Sequence, residues 1–330
     1  MKTIPLLEPL SAELEQVERK MRELVHPEYP QLAAVIGHLL DSGGKRLRPA
    51  LALLAGDIYP ADTEKLVSLA ASVEMLHTAT LVHDDLIDGA LLRRGQETLN
   101  SRWNMGATVL TGDYLFARAA ALAAETDHVR VMAIFADTLM TICSGELRQI
   151  FDHHNLPAVD SDEDWETALD RYDQRIHAKT ASLFALATEG AAVLSGAPQP
   201  QVHALRDYGL SLGAGFQIID DVLDFRGDQQ VLGKPVGSDL REGIVTLPVL
   251  YYLREHPHDE RMATVVRNGG DDGLVREVVA AIRESGVVDR AIDRARALIA
   301  RSQVALDALP DCRSRRIMYA LAEYTISREK

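Results

Sequence analysis

An all-α fold is what the sequence predicts, on three observations. Apolar residues recur at spacings of three and four through most of the 330 residues, the repeat of one face of an α-helix. Alternating polar and apolar runs, the mark of strands, are almost absent, and Ala and Leu are abundant. No composition shift or flexible linker divides the chain, so one all-helical domain spanning 1–330 is expected, with 1–20 as a peripheral N-terminal segment.

The first long helix is predicted over 64–88, where Leu66, Leu69, Val73, Leu76, Thr80 and Ile87 repeat at three, four or their sum and define one buried face. The same pattern predicts helices over 103–124, 129–151, 164–194, 202–225, 273–284 and 288–309. Between them fall the breakers: Ser42-Gly43-Gly44, Gly89, Gly95, the stretches 155–162, 196–200, 227–243 and 256–259, and Gly269-Gly270.

Hydrophobic residues make up 47% and charged residues 25% of the chain, which excludes extended disorder, collagen and a coiled coil alone. Thirty-five Lys and Arg against 49 Asp and Glu give a net charge of -14. No general nucleic-acid binding is expected, and a polyanionic ligand must be held by locally clustered cations or by metal. Cys143 and Cys312 lie far apart and form no pair motif, as suits a reducing compartment. Pro5, Glu8 and Pro9 stand where a signal peptide would be apolar. No stretch reaches ~18 uninterrupted apolar residues. A cytoplasmic location without a transmembrane segment is expected.

Two copies of Asp-Asp-x-x-Asp stand inside apolar helical stretches: Asp84-Asp85-Leu86-Ile87-Asp88 and Asp220-Asp221-Val222-Leu223-Asp224. On a helix, Asp84 and Asp88 point about 40° apart, one turn along the axis, with Asp85 about 100° to the side; Asp220, Asp224 and Asp221 repeat this. Such pairs suit Mg²⁺, which prefers oxygen ligands, keeps several waters and bridges carboxylates to phosphate oxygens. A solvated acidic helix face is the alternative for one pentad. The apolar flanks Leu81, Val82, Ile218, Ile219 and Phe225 argue for burial, where carboxylates need cationic or metal partners. The cations cluster too. Gly43-Gly44-Lys45-Arg46-Leu47-Arg48-Pro49 places three positive side chains after two glycines, a loop suited to a diphosphate. Arg93-Arg94-Gly95 follows the first cluster, and Gly89 and Gly95 predict a bend that turns the arginines back toward it; there they serve either the ligand or as counter-charges for Asp84 to Asp88.

With these segments in this order, together with Lys179-Thr180-Ala181 and the run from Leu232 to Leu240, the chain resembles the trans-isoprenyl (polyprenyl) diphosphate synthases from about residue 20 to its C-terminus. The resemblance implies a single-domain antiparallel helical bundle of isoprenoid synthase type around a deep central cavity. It implies a prenyltransferase that condenses isopentenyl diphosphate head-to-tail, 1'-4, onto geranyl, farnesyl or geranylgeranyl diphosphate. By the same resemblance Asp84, Asp88, Asp220 and Asp224 bind three Mg²⁺ per active site, supported by Asp85 and Asp221. Arg93, Lys179 and Lys234 neutralise the allylic diphosphate, while Lys45, Arg48, His77 and Arg94 hold isopentenyl diphosphate. Thr180 and Gln217 face the allylic cation with oxygen dipoles. A homodimer and transient membrane contact for product release are also implied. His77 lies about 20° from Asp84 on the wheel; by pattern alone it is a core histidine. Cys143 is expected in the core, and Asp152-His153-His154 as a surface turn.

One position departs from the family: Ile244 stands where a Lys usually precedes the x-Thr-Leu-Pro segment, here Val245-Thr246-Leu247-Pro248, with Arg241 the nearest replacement. Family product length depends on the residues before the first cluster. The small Ala79, with Thr80 and Leu76, implies an open tunnel and a long product of about C35 to C50, since ~20 helical residues span ~30 Å. Met105, Met132, Phe135 and Met140 are the floor residues considered. The rival readings are a synthase stopping at geranylgeranyl or farnesyl length, the catalytic subunit of a heteromeric synthase, a non-catalytic subunit of one, which would typically lack one or both of the Asp clusters kept here, and a class I terpene cyclase, whose second metal motif differs from Asp220 to Asp224.

Overall fold

The computed structural model describes residues 4–23, 30–41, 43–93, 95–152, 156–226 and 236–327. Helices make up nearly all of their regular structure. A 3₁₀ turn, Pro5–Leu10, leads into α1 (Ser11–Glu23), α2 (Pro30–Asp41), α3 (Leu47–Gly56) and α4 (Thr63–Ile87). A small antiparallel hairpin follows, β1 (Leu92–Arg93) on β2 (Gln96–Glu97), with Arg93 opposite Gln96. Then come α5 (Leu99–Arg102), α6 (Met105–Ala124), α7 (Val129–Asp152), α8 (Asp162–Ile176), a π-helical turn His177–Ala181, α9 (Ser182–Leu194) and α10 (Gln199–Arg226). Helices Ser238–Arg241, Leu247–Glu255, Glu260–Asn268, Asp272–Glu284, Val287–Ala305 and Arg313–Ser327 complete the described chain. The all-α expectation holds, and among the described residues the hairpin is the one departure in kind. It is two residues per strand, too short to leave an alternating pattern.

Contacts divide the chain into two compact units: Met1–Thr138 with Leu183–Gly209 and Ala305–Leu321, and Leu139–Ser182 with Leu210–Val304 and Ala322–Lys330. In the first, α4 is the central element. Asp62 caps its N-terminus, accepting from the amides of Glu64 and Lys65 at 3.0 and 3.4 Å. The sequence pattern predicts one buried face, but every residue from Leu66 to Leu76 is buried. Small side chains make this possible: Ser68, Ala70, Ala71 and Ser72 let neighbouring helices close in on the sides that Leu69 and Val73 leave. Ser72 Oγ donates to the Ala119 carbonyl of α6 at 2.7 Å. A Cβ at Gly112 of α6 would overlap the His83 imidazole of α4. Leu7, Leu14 and Val17 of the N-terminal segment are also buried. Among the described residues α4 alone is long and apolar enough to cross a membrane, and 78% of its apolar window is covered by the protein.

The second unit is built on the C-terminal part of α10, whose Ile218, Ile219, Val222 and Phe225 are fully buried. They share one apolar cluster with Tyr172 and Ile176 of α8, Val278 and Ile282 of Asp272–Glu284, and Ala291, Ile292 and Ala295 of Val287–Ala305. The helix expected over 164–194 is interrupted by the π turn at His177–Ala181. A Cβ at Gly145 of α7 would overlap the Ala178 methyl, so α7 approaches this turn closely. Cys143, expected in the core, is exposed on α7. It shares its face with exposed Met140 and Leu147.

Candidate active site

In the first unit the acidic pentad occupies the last turn of α4. Asp84 is half-buried, Asp85 is 7% exposed, and Asp88 follows the final helical residue as an exposed C-cap, its amide donating to the Asp84 carbonyl at 2.8 Å. Carboxylates at a helix C-terminus face the negative end of the macrodipole, so the position disfavours them unless a cation is present. Arg93 supplies one. Gly89 and Gly95, at φ of 63° and 77°, take the left-handed backbone that turns the chain back. Arg93 Nε then donates to Asp85 Oδ1 at 2.7 Å. The Asp85 carbonyl accepts from Ala90 N at 2.9 Å and Asn100 Nδ2 at 3.1 Å, tying the helix end to the turn that follows it and to α5.

The cationic loop separates its three positive residues by burial. Arg46, at φ 48°, is buried. It donates to Glu74 Oε1 at 2.7 Å, to Glu18 Oε1, and to the Leu40 carbonyl at 3.1 Å. Its guanidinium is therefore structural. Lys45 is exposed, and half-buried Arg48 lies 4.9 Å from the centroid of the Phe184 ring. Pro49 sits in the first turn of α3, where its missing amide costs nothing. On α4, His77 is half-buried, Leu76 and Ala79 are wholly buried, and half-buried Thr80 bonds back to the His77 carbonyl at 2.8 Å. Arg94 lies outside the described residues.

In the second unit, side chains from three elements form one chain of hydrogen bonds. Thr180 Oγ1, in the π turn, donates to Gln217 Oε1 at 2.6 Å. Gln217 Nε2 donates to Asp221 Oδ1 at 2.9 Å, one turn along α10. Asp221 Oδ2 accepts from the Tyr172 hydroxyl of α8 at 2.7 Å. Burial first, then the charge of Asp239, pushes the Asp221 carboxyl up to about 7, against smaller downward pulls from Gln217, Arg175 and Tyr172. Burial and the Asp221 charge raise the Tyr172 phenol. Asp224 also reaches about 7, through burial and then Asp239, although Ser238 N, Ser238 Oγ and Asp239 N donate to its oxygens at 3.0, 2.8 and 3.2 Å. Asp220 is half-buried. Lys179, also in the π turn, pairs with Glu146 of α7 at 3.1 Å. π turns inside helices recur at functional sites.

The donor sets fit a hard divalent cation. Each unit presents two aspartates one turn apart at a helix end, and in the second burial and the charge of Asp239 raise the carboxyls of Asp221 and Asp224. Among the described residues no three His, Cys, Asp or Glu side chains converge on one point. Arg241, the cation nearest Ile244 in sequence, pairs with Asp272 at 2.5 Å. Lys234 and the His153-His154 pair lie outside the described residues.

The sequence profile of the polyprenyl synthetases matches residues 29–282, through both units. The chain belongs to the polyprenyl synthetase family. It is a prenyltransferase by that membership. It is 38% identical over 323 residues to heptaprenyl diphosphate synthase component 2 of Geobacillus stearothermophilus, covering 97% of each chain. Its fold matches a decaprenyl diphosphate synthase from Rhodobacter capsulatus with a TM-score of 0.89 and 36% identity, over 98% of each chain. A polyprenyl synthase from Caulobacter crescentus CB15, complexed with calcium and isoprenyl diphosphate, matches with a TM-score of 0.89 at 36% identity, over 98% of this chain and 97% of that one.

Sequence reasoning missed Tyr172 and Arg175 beside the second cluster and Glu146, the partner of Lys179; Ser238 and Asp239 fell within the run from Leu232 to Leu240 without a contact to Asp224 being assigned. Their contacts run between distant segments, and only Tyr172 carried a signal: a phenol at an otherwise apolar helix position needs a partner for its hydroxyl.

Proposed function

We propose that this chain is an Mg²⁺-dependent all-trans polyprenyl diphosphate synthase that adds isopentenyl diphosphate repeatedly, head-to-tail, to an allylic diphosphate. Both acidic pentads, intact at helix ends where carboxylates are disfavoured without a cation, carry this reading. Asp84 and Asp88, with Asp220 and Asp224, would hold three Mg²⁺; Asp85 and Asp221 brace them from behind. When bound, the metal draws charge from the departing allylic diphosphate. Arg93 and Lys179, released from Asp85 and Glu146, and Lys234 would neutralise the same diphosphate. Lys45, Arg48, His77 and Arg94 would bind isopentenyl diphosphate. Thr180 and Gln217 are already aligned by their mutual hydrogen bond, and Gln217 passes that alignment to Asp221. Their oxygens would face positive charge as the allylic C–O bond breaks, which preorganised dipoles stabilise without reorganisation.

The small Ala79, with Leu76 and Thr80, supports a tunnel running down α4 and a product of about C35 to C50 on the helix rise used above. Of the floor residues considered, Met105 and Met140 are exposed, Met132 is half-buried and Phe135 is buried, which favours Phe135. The long-chain names of the relatives support the same length. A homodimer is proposed through α7, where Ala133, Ala136, Met140, Cys143 and Leu147 form an exposed stripe at alternating spacings of three and four. The cytoplasm is the proposed compartment, and both cysteines are unpaired. A heteromeric synthase, with this chain as its catalytic subunit, is the second reading; "component 2" in the Geobacillus relative's name favours it.

The test is incubation of the purified chain with Mg²⁺, farnesyl diphosphate and labelled isopentenyl diphosphate, with the dephosphorylated products sized by chromatography. A ladder ending beyond C30 is expected. A stop at C20 would keep the chemistry and overturn the tunnel argument. Incorporation only after a second chain is added would select the heteromeric reading.

A further inference from the structure

Asp221 is the most enclosed carboxylate of the second cluster, and beside Gln217 two residues outside every motif in the sequence act on it. The Tyr172 hydroxyl reaches Asp221 Oδ2 at 2.7 Å, and both side chains are buried. Three residues on, on the same face of α8, Arg175 places its guanidinium 5.3 Å from the Tyr172 ring centroid. Its Nη2 donates to the Val245 carbonyl at 2.6 Å. Arg175 thus ties α8 to the segment that enters helix Leu247–Glu255, next to Ile244. Arg241 is paired with Asp272. The Arg175 charge also draws the Asp221 carboxyl downward, against the larger upward effect of burial.

We propose, resting on the function above, that Tyr172 and Arg175 are positioning residues for the second metal grip. Tyr172 fixes the Asp221 carboxylate, Arg175 fixes Tyr172 and the Val245 backbone, and Asp220 and Asp224 on either side of Asp221 are thereby held in register. Neither side chain contacts substrate. Their work is to keep the acidic turn of α10 in one arrangement, and Arg175 adds positive charge on a side of the cluster where residue 244 has none.

The test compares wild type with Tyr172→Phe, Arg175→Met and Arg175→Lys, each as the full chain. Calorimetric binding of inorganic diphosphate in the presence of Mg²⁺ is measured beside the Mg²⁺ dependence of turnover. Loss of a hydrogen bond to a charged group corresponds to about tenfold in affinity. Tyr172→Phe and Arg175→Met are therefore expected to weaken Mg²⁺-dependent diphosphate binding about tenfold. They should raise the Mg²⁺ concentration for half-maximal rate similarly, with a smaller loss of kcat at saturating Mg²⁺. Arg175→Lys should recover most of that loss. If the variants lower only the melting midpoint and leave both Mg²⁺ readouts at wild-type values, the pair is structural and the inference is overturned. Should Arg175→Met fail to fold, Tyr172→Phe decides alone, since it removes one oxygen and keeps the ring. If wild type itself binds diphosphate no better with Mg²⁺ than without, the proposed function fails and this inference falls with it; that outcome shows in the wild-type titration before any variant is compared.

Discussion

The two acidic pentads have the same spacing and the same place at the end of a long helix, yet their surroundings handle charge differently. At the end of α4, Asp85 is met by the Arg93 guanidinium, and Asp88 is open to solvent. Near the end of α10, Asp221 is met by a phenol and an amide, Asp224 by a hydroxyl and two backbone amides, and Asp239 adds a further negative charge. Neutral donors satisfy the hydrogen-bonding capacity of a carboxylate without cancelling its charge. Identical motifs are therefore not equivalent sites. The first pairs a carboxylate directly with a guanidinium, whereas among the described residues Asp221 and Asp224 are met by neutral donors, with Arg175 acting on Asp221 only through its charge. Asp259 shows what full compensation looks like in the same unit: the Arg261 side chain above all holds its carboxyl down to about 2.

The largest effect is expected where both clusters are needed at once. Asp84→Ala or Asp220→Ala should lower turnover by roughly 10³-fold or more while the helical circular dichroism stays intact. Substantial residual turnover in either variant would break the assignment of that cluster. Next comes the buried charge group centred on Arg46. Arg46→Met leaves Glu74 buried without its cation and should cost about 3–5 kcal/mol in urea unfolding; a loss below ~1 kcal/mol, the range of surface pairs, would mean Arg46 is not structural.

Asp259 sharpens the contrast through pH. Its folded value of about 2 lies below the ordinary 3.8, so its contribution is fully present above about pH 4 and is lost as pH falls through about 2. Asp259→Asn should flatten that part of the acid limb of stability. It also weakens the cap on helix Glu260–Asn268, whose Arg261 amide Asp259 accepts at 3.0 Å, a change of about 1 kcal/mol. An unchanged acid limb would remove Asp259 as the compensated reference. The smallest effect on turnover, and one read in product size, is expected from Ala79→Phe. If a tunnel runs beside it, the ring is tolerated and the product shortens; an unchanged product distribution would remove Ala79 from the tunnel.

Much of this comparison was legible in the linear chain. The periodicity over 129–151 and 202–225 meets helices Val129–Asp152 and Gln199–Arg226 nearly end to end, because long amphipathic patterns leave little ambiguity. The bend that turns Arg93 back was readable from Gly89 and Gly95, since only glycine takes those backbone angles freely. What separates Arg46 from Lys45 and Arg48 was not, for it depends on Glu18 and Glu74, each 28 residues away. The π turn at Lys179, the Tyr172 contact to Asp221 and the exposure of Cys143 were likewise hidden. Each depends on which helix packs against which, and no local spacing records that.

The most direct test of the claim that both pentads grip metal is an equilibrium count of Mg²⁺ bound in the presence of inorganic diphosphate, made on wild type, Asp84→Asn and Asp220→Asn. Each variant should hold less Mg²⁺ than wild type while remaining folded. A full wild-type complement in either one would show that its pentad takes no part in the grip.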